Sequence, residues 1–125
     1  MARLLELSTF GSDTGNLTVF EKILPGPIKR VFFIYEAENS LRAGHRHYKA
    51  AHALVCLNGS CRVYINDGNT EQYYVLDNPR KCLIVEPKDW HTMDQFTKGA
   101  ILLVLSNEYY DKADYIYEKY ETVAV

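Results

Sequence analysis

Residues 42–59, RAGHRHYKAAHALVCLNG, hold three of the chain's four histidines ahead of an apolar run closed by Asn58-Gly59. In an extended chain successive side chains point to opposite faces, so His45, His47 and Lys49 share one face while Arg46 and Tyr48 take the other. Two imidazoles then look into one space. Imidazole titrates nearer neutrality than any other side chain, which suits the pair to metal ligation or to proton transfer. A half-buried strand with two solvated histidines is the plain alternative. Residues 53–58 are nearly all apolar and read as a core strand, and Asn58-Gly59 reads as the turn of a hairpin returning along 61–65.

The same pattern continues on both sides. Upstream, residues 28–36 (IKRVFFIYE) form a strand after Pro25-Gly26-Pro27 breaks the chain, residues 17–21 alternate as another, and the turn formers of 11–16 (GSDTGN) set off a short apolar start at Leu4, Leu5 and Leu7. Downstream, Asn66-Asp67-Gly68-Asn69 is a turn, and residues 73–76, 82–85 and 101–106 are strands. Residues 107–120 mix aromatics and charges without clean period and predict a short helical turn and an irregular tail. Turn signals recur roughly every eight to twelve residues, and helical periodicity never runs beyond about two turns. The expectation is an all-β sandwich or barrel, one domain over 1–125.

Composition narrows the function classes. A net charge of -2 leaves no basic excess to displace phosphate counterions, so no nucleic-acid partner is expected. No apolar run is long enough to span a bilayer, and residues 1–7, with Arg3 and Glu6, are too short and too charged for a signal peptide. No membrane association and a cytoplasmic location are expected. Cys56, Cys61 and Cys82 are odd in number, lack Cys-x-x-Cys spacing and read as small hydrophobes. Ten tyrosines exceed what a small core can bury with every hydroxyl satisfied, so some should line a pocket or a subunit interface.

His45-x-His47, then position 52, then Gly59, has the spacing of the first cupin motif, with His52 where glutamate is usual, and Pro87 ahead of His91 resembles the second motif one residue short. In a jelly-roll barrel the strands carrying these motifs face one cavity, which would bring His45, His47 and His91 together. A closer resemblance lies in Arg42-x-x-His45-x-His47-x-Lys49, in residues 54–60, in Trp90-His91-x-Met93, and in Tyr109-Tyr110-Asp111-x-x-Asp114-Tyr115-Ile116. Together they resemble the WxcM-like nucleotide-sugar 3,4-ketoisomerases. The resemblance implies a single cupin domain with a jelly-roll β-barrel. It also implies an isomerase that uses no metal or other cofactor, is usually a homodimer, acts on a dTDP-linked 4-keto-6-deoxyhexose and feeds deoxysugars to lipopolysaccharide or O-antigen glycans.

Moving a carbonyl from C4 to C3 needs a base of near-neutral pKa for the C3 proton and groups that handle the two oxygens. The resemblance assigns the base to His45, with His47 and His91 on the oxygen side. Arg42 offsets negative charge or holds phosphate, with Arg30 and Lys49 as further diphosphate ligands. Two departures stand out. Phe32-Phe33 follows Lys29-Arg30-Val31 where relatives carry Tyr-Tyr, which leaves Tyr35 as a candidate replacement phenol, and Thr14 precedes Gly15 where relatives carry arginine or tyrosine. Both C4 configurations of the product, galacto and gluco, are compatible with these departures.

Two other readings remain open at this point. One is a metal-dependent cupin, a dioxygenase or isomerase, with His45, His47, His52 and His91 as ligands to Zn, Fe, Ni or Mn. This requires a bulge or corner between His47 and His52, whose strand parity is odd. The other is a non-catalytic nucleotide-sugar-binding cupin that keeps the arginines.

Overall fold

The apolar alternation becomes strands almost throughout. The computed structural model describes residues 1–121, so residues 122–125 of the expected 1–125 domain lie outside the described part. The strands are β1 (Arg3–Glu6), β2 (Ser8–Ser12), β3 (Gly15–Val19), β4 (Arg30–Tyr35), β5 (Arg42–His47), β6 (His52–Asn58), β7 (Cys61–Asn66), β8 (Glu71–Leu76), β9 (Lys81–Val85), β10 (Trp90–Asp94), β11 (Ile101–Ser106) and β12 (Tyr115–Ile116). A 3₁₀ turn covers Lys112–Asp114, and there is no α-helix among the described residues.

Two antiparallel five-stranded sheets face one another, one in the order β1-β9-β6-β11-β4 and the other β12-β5-β10-β7-β8, with β2-β3 as a separate hairpin. From β4 to β12 the chain changes sheet at every step except β7 to β8, which is jelly-roll connectivity. Among the described residues the sheets are not hydrogen-bonded into a closed ring, so the barrel is open-sided. Leu54, Cys56, Leu83, Val85, Leu102 and Val104 of one sheet meet Cys61, Val63, Ile65, Leu76 and Met93 of the other. The opposite face of β6, β9 and β11 is buried too, under Leu7, Phe20, Ile23 and Leu24. Strands covered on both sides need apolar residues at every position, which accounts for the unbroken run at 53–56. Each such side chain contributes about 1.5–3 kcal/mol by leaving water.

Three expectations are corrected. Asn58-Gly59 does not turn a hairpin: β6 pairs with β11 and β9, whereas β7 pairs with β10 and β8. The chain instead crosses between sheets there. Gly59 has φ +68°, and a Cβ on it would lie 2.5 Å from Thr97 Oγ1 and 3.1 Å from Ala100 Cα, so glycine is required by conformation and by space. The leading apolar segment forms the outer strand of the first sheet, Arg3 to Glu6 pairing with Ile84 to Lys81 on one side and with no strand on the other among the described residues. The element that joins neither five-stranded sheet is the β2-β3 hairpin, and residues 20 and 21, expected in a strand, lie beyond its end. The tail expected to be irregular adds a strand, since Tyr115 and Ile116 pair with His47 and Arg46.

Candidate active site

Three features of the backbone gather the histidines. The first is register: β10 lies antiparallel to β5 with His91 opposite His45, which puts both imidazoles on the cavity face, ring centroids 4.9 Å apart. The second is a bulge. The pairing slips by one residue past His91, with Thr92 opposite Ala43, and Ala43 and Gly44 take φ of 69° and 85°. Strict alternation would turn Arg42 away from His45. The extra residue reverses that parity, and Arg42 and Ala43 both line the cavity. The third is the corner from His47 to His52, where the chain leaves one sheet for the other, so the odd parity of these two is resolved and their rings lie 4.7 Å apart.

The cavity has a volume of about 140 Å³ and is bounded by His45, His52, His91, Arg30, Arg42, Tyr115 and the apolar side chains of Phe32, Ile34, Leu54, Met93 and Val104. His47 does not line it. Its ring sits behind the lining, 5.0 Å from His45 and 4.6 Å from Tyr115 between centroids. There its Nδ1 lies 3.1 Å from the Asp114 carboxylate and its Nε2 is buried without a partner. His91 donates Nδ1–H to the Asp89 carbonyl oxygen at 3.0 Å, which leaves its Nε2 free as an acceptor.

Burial makes these imidazoles reluctant to charge. His45 is pushed down to about 3 by desolvation and then by His91 and His47, His52 to about 2 by burial and its imidazole neighbours, and His91 to about 4 mainly by burial. His47 is also lowered by burial, but its hydrogen bond and charge interaction with Asp114 act in the opposite direction. All four are neutral at pH 7 and available to accept protons.

The cations divide. The Arg30 guanidinium lies over Phe32 at 4.4 Å and Tyr110 at 5.1 Å and donates to the Tyr115 hydroxyl at 3.4 Å. Lys49 follows the end of β5, its side chain is exposed, and it is absent from the cavity wall. Tyr35 cannot supply a phenol to the cavity. It stacks on Phe33 on the outer face of β4, where both help line a larger apolar concavity of about 530 Å³ with Leu57, Ile101 and Leu103. The phenol actually present is Tyr115, 4.7 Å from the His45 ring.

Sequence reasoning assigned no role to Asp114 or Tyr115. Both were visible within the 109–116 motif, but the absence of strand period there hid their position. Among the described residues no three His, Cys, Asp or Glu side chains are arranged to hold one metal ion.

A jelly roll whose interior ends in neutral imidazoles, flanked by two arginines and an aromatic mouth, defines a small-molecule site of the cupin class suited to proton transfer on an anionic ligand. The FdtA family, WxcM-like, C-terminal, matches residues 1–124, and the chain belongs to it. A TDP-4-oxo-6-deoxy-alpha-D-glucose-3,4-oxoisomerase from Aneurinibacillus thermoaerophilus is 44% identical over 105 residues, 82% of this chain and 76% of that protein. WlaRA, a TDP-fucose-3,4-ketoisomerase from Campylobacter jejuni, is 38% identical in its X-ray structure, with a TM-score of 0.87 over 94% of this chain and 89% of that one. The crystal structure of a histidine-to-asparagine variant of the 3,4-ketoisomerase QdtA from Thermoanaerobacterium thermosaccharolyticum, in complex with TDP-4-keto-6-deoxyglucose, is 36% identical, with a TM-score of 0.86 over 94% of this chain and 87% of that one.

Proposed function

We propose that this chain is a 3,4-ketoisomerase converting dTDP-4-keto-6-deoxy-D-glucose to a dTDP-3-keto-6-deoxyhexose. The carrying observation is the cavity in which neutral His45 and His91 face one another beneath Arg42 and Arg30. His45 Nε2 takes the C3 proton, and the C–H electron pair becomes the C3–C4 double bond as the C4 carbonyl gains negative charge. O4 is protonated, the O3 hydroxyl gives up its proton, the C3 carbonyl forms, and C4 receives a proton from His45. Nothing is oxidised overall. His91 serves the oxygens, His47 acts on them only through the imidazole cluster in front of it, and Arg42 offsets the enediolate or binds phosphate with Arg30. Lys49 reaches diphosphate only from outside the cavity.

Incubating the protein with this substrate in deuterated water and following product and C–H exchange by NMR tests the reading. Activity is expected to survive exhaustive chelation, because the cavity wall includes no carboxylate and, among the described residues, no three His, Cys, Asp or Glu side chains are arranged to hold one metal ion. Loss on chelation, with recovery on adding one metal per chain, would favour the metal-dependent cupin. Binding of dTDP, read as a thermal shift, without exchange would favour the non-catalytic sugar binder.

The assembly fits a homodimer. Phe33 and Tyr35 on the outer sheet face are 60% and 58% exposed, and Phe10 and Leu17 on the lone hairpin are 64% and 60% exposed. Apolar surface of this extent is characteristic of an interface, and a two-fold axis lets one hairpin cover its partner's face. Light scattering should give a dimer at micromolar concentration. Phe33→Glu should give a monomer, and deletion of residues 1–10 should weaken both association, through the hairpin, and folding, through β1. A wild-type monomer would overturn the interface. Three buried free thiols suit a reducing cytoplasm, and deoxysugar supply to lipopolysaccharide or O-antigen is the corresponding pathway role.

A further inference from the structure

Of the four clustered histidines only His47 is hydrogen-bonded to a carboxylate. Asp114 is 8% exposed, and its oxygens are fully engaged: Oδ1 accepts Lys49 N–H at 2.8 Å, and Oδ2 accepts Ala50 N–H at 3.2 Å and lies 3.1 Å from His47 Nδ1. A carboxylate only accepts, so a neutral His47 must carry its proton on Nδ1 and present a bare Nε2. That nitrogen is buried and unpartnered, within an environment made by His45 of β5, His52 of β6, His91 of β10, Tyr115 of β12 and Arg30 of β4. When His45 takes the sugar proton, a cation appears among neutral imidazoles and an arginine. Asp114 is the carboxylate able to balance it, acting through His47.

We propose that Asp114 is a positioning residue for the isomerisation, fixing His47 as the Nδ1–H tautomer and supplying the counter-charge to the imidazole cluster while His45 holds the substrate's proton. This rests on the ketoisomerase reading and adds a residue to it. The carboxylate is required because both of its oxygens face donors. An asparagine at 114 must aim its NH₂ either at Lys49 N–H or at Ala50 N–H and His47 Nδ1, so in either rotamer one backbone N–H loses its acceptor, and the negative charge behind His47 is gone in both.

The test uses the full-length protein labelled with ¹⁵N-histidine. In the wild type, His47 should show the Nδ1–H tautomer, whether or not substrate turns over. In Asp114→Asn the counter-charge to the cluster is lost, kcat should fall about 100-fold, within the range of a general acid–base contribution, and KM should stay within threefold. A variant that misfolded would lose dTDP binding as well, so the thermal shift with dTDP is read in parallel, and the wild-type tautomer decides the matter without the variant. Wild-type His47 found as Nε2–H, or unchanged kcat in a folded Asp114→Asn, overturns the inference. A wild type with the Nδ1–H tautomer but no isomerase activity supports the positioning and overturns the ketoisomerase reading instead.

Discussion

His45→Asn is expected to lower isomerisation by about 10³-fold or more, within the range that a positioned general base supplies, while dTDP binding changes no more than a few-fold. His45 is half-buried in the cavity wall between His91, His47 and Tyr115. Its depressed pKa keeps it unprotonated over the working pH range, so no fraction of the enzyme is lost to a charged base. A base so weak in the empty site accepts a carbon-bound proton because the enediolate forms beside it. Negative charge then appears where the imidazolium needs it, and the stabilisation is realised in the transition state rather than in the ground state. Asparagine keeps the polarity and much of the volume but has no basic nitrogen. The measurement is deuterium incorporation at C3 of dTDP-4-keto-6-deoxyglucose in deuterated water. Exchange at the wild-type rate in the variant would reject His45 as the base and move the assignment to His91, which faces it across the cavity with a free Nε2.

How much of this was legible depended on whether a residue's place followed from local period. The strands of the two sheets were visible because apolar alternation is a local property, and the shared face of His45 and His47 came with it. Arg42, to which the motif resemblance gave a charge-offsetting or phosphate-holding role, lines the cavity although plain alternation argues the reverse; the Gly44 bulge that reconciles them is a feature of pairing with β10. Lys49 shows the converse. Its parity matches His45, but the strand ends at His47, where the chain turns the corner towards β6. Asn58-Gly59 carries a strong hairpin signature, yet the same φ at Gly59 serves equally to cross between sheets. Only the two-sided burial of β6, a tertiary fact, distinguishes them. Asp114 and Tyr115 were hidden most completely, since a two-residue strand has no period to read.

Acidification should destabilise the fold well before carboxylates titrate. His52 and His91 are 6% and 3% exposed, and their folded-state pKa values are pushed down to about 2 and about 4, against an unfolded value of roughly 6.5. Because both are depressed, their contribution is fully present above pH 6.5 and is lost as pH falls, the unfolded chain binding protons that the folded chain refuses. Each costs about 1.4 kcal/mol per pH unit across that interval, so by pH 5 the pair removes about 4 kcal/mol, a large share of the roughly 5–15 kcal/mol typical of a domain. His45, pushed down to about 3, and His47, also lowered, act in the same direction. Asp67, Asp77 and Glu86 are lowered from ordinary carboxylate values by their hydrogen bonds, so their own losses begin only at lower pH, and the buried Asp89, raised by desolvation, opposes the loss as it protonates, which leaves the fall between pH 6.5 and 5 to the histidines. Urea unfolding at pH 7.5, 6.5, 5.8 and 5.0 should show stability level above 6.5 and falling steeply below it. The His52→Asn variant should fall less steeply, by about one proton's worth of slope. A wild-type curve that stays flat to pH 5 would mean that the imidazoles are already charged or hydrated in the folded protein, and the neutral cluster on which the proton chemistry depends would not exist.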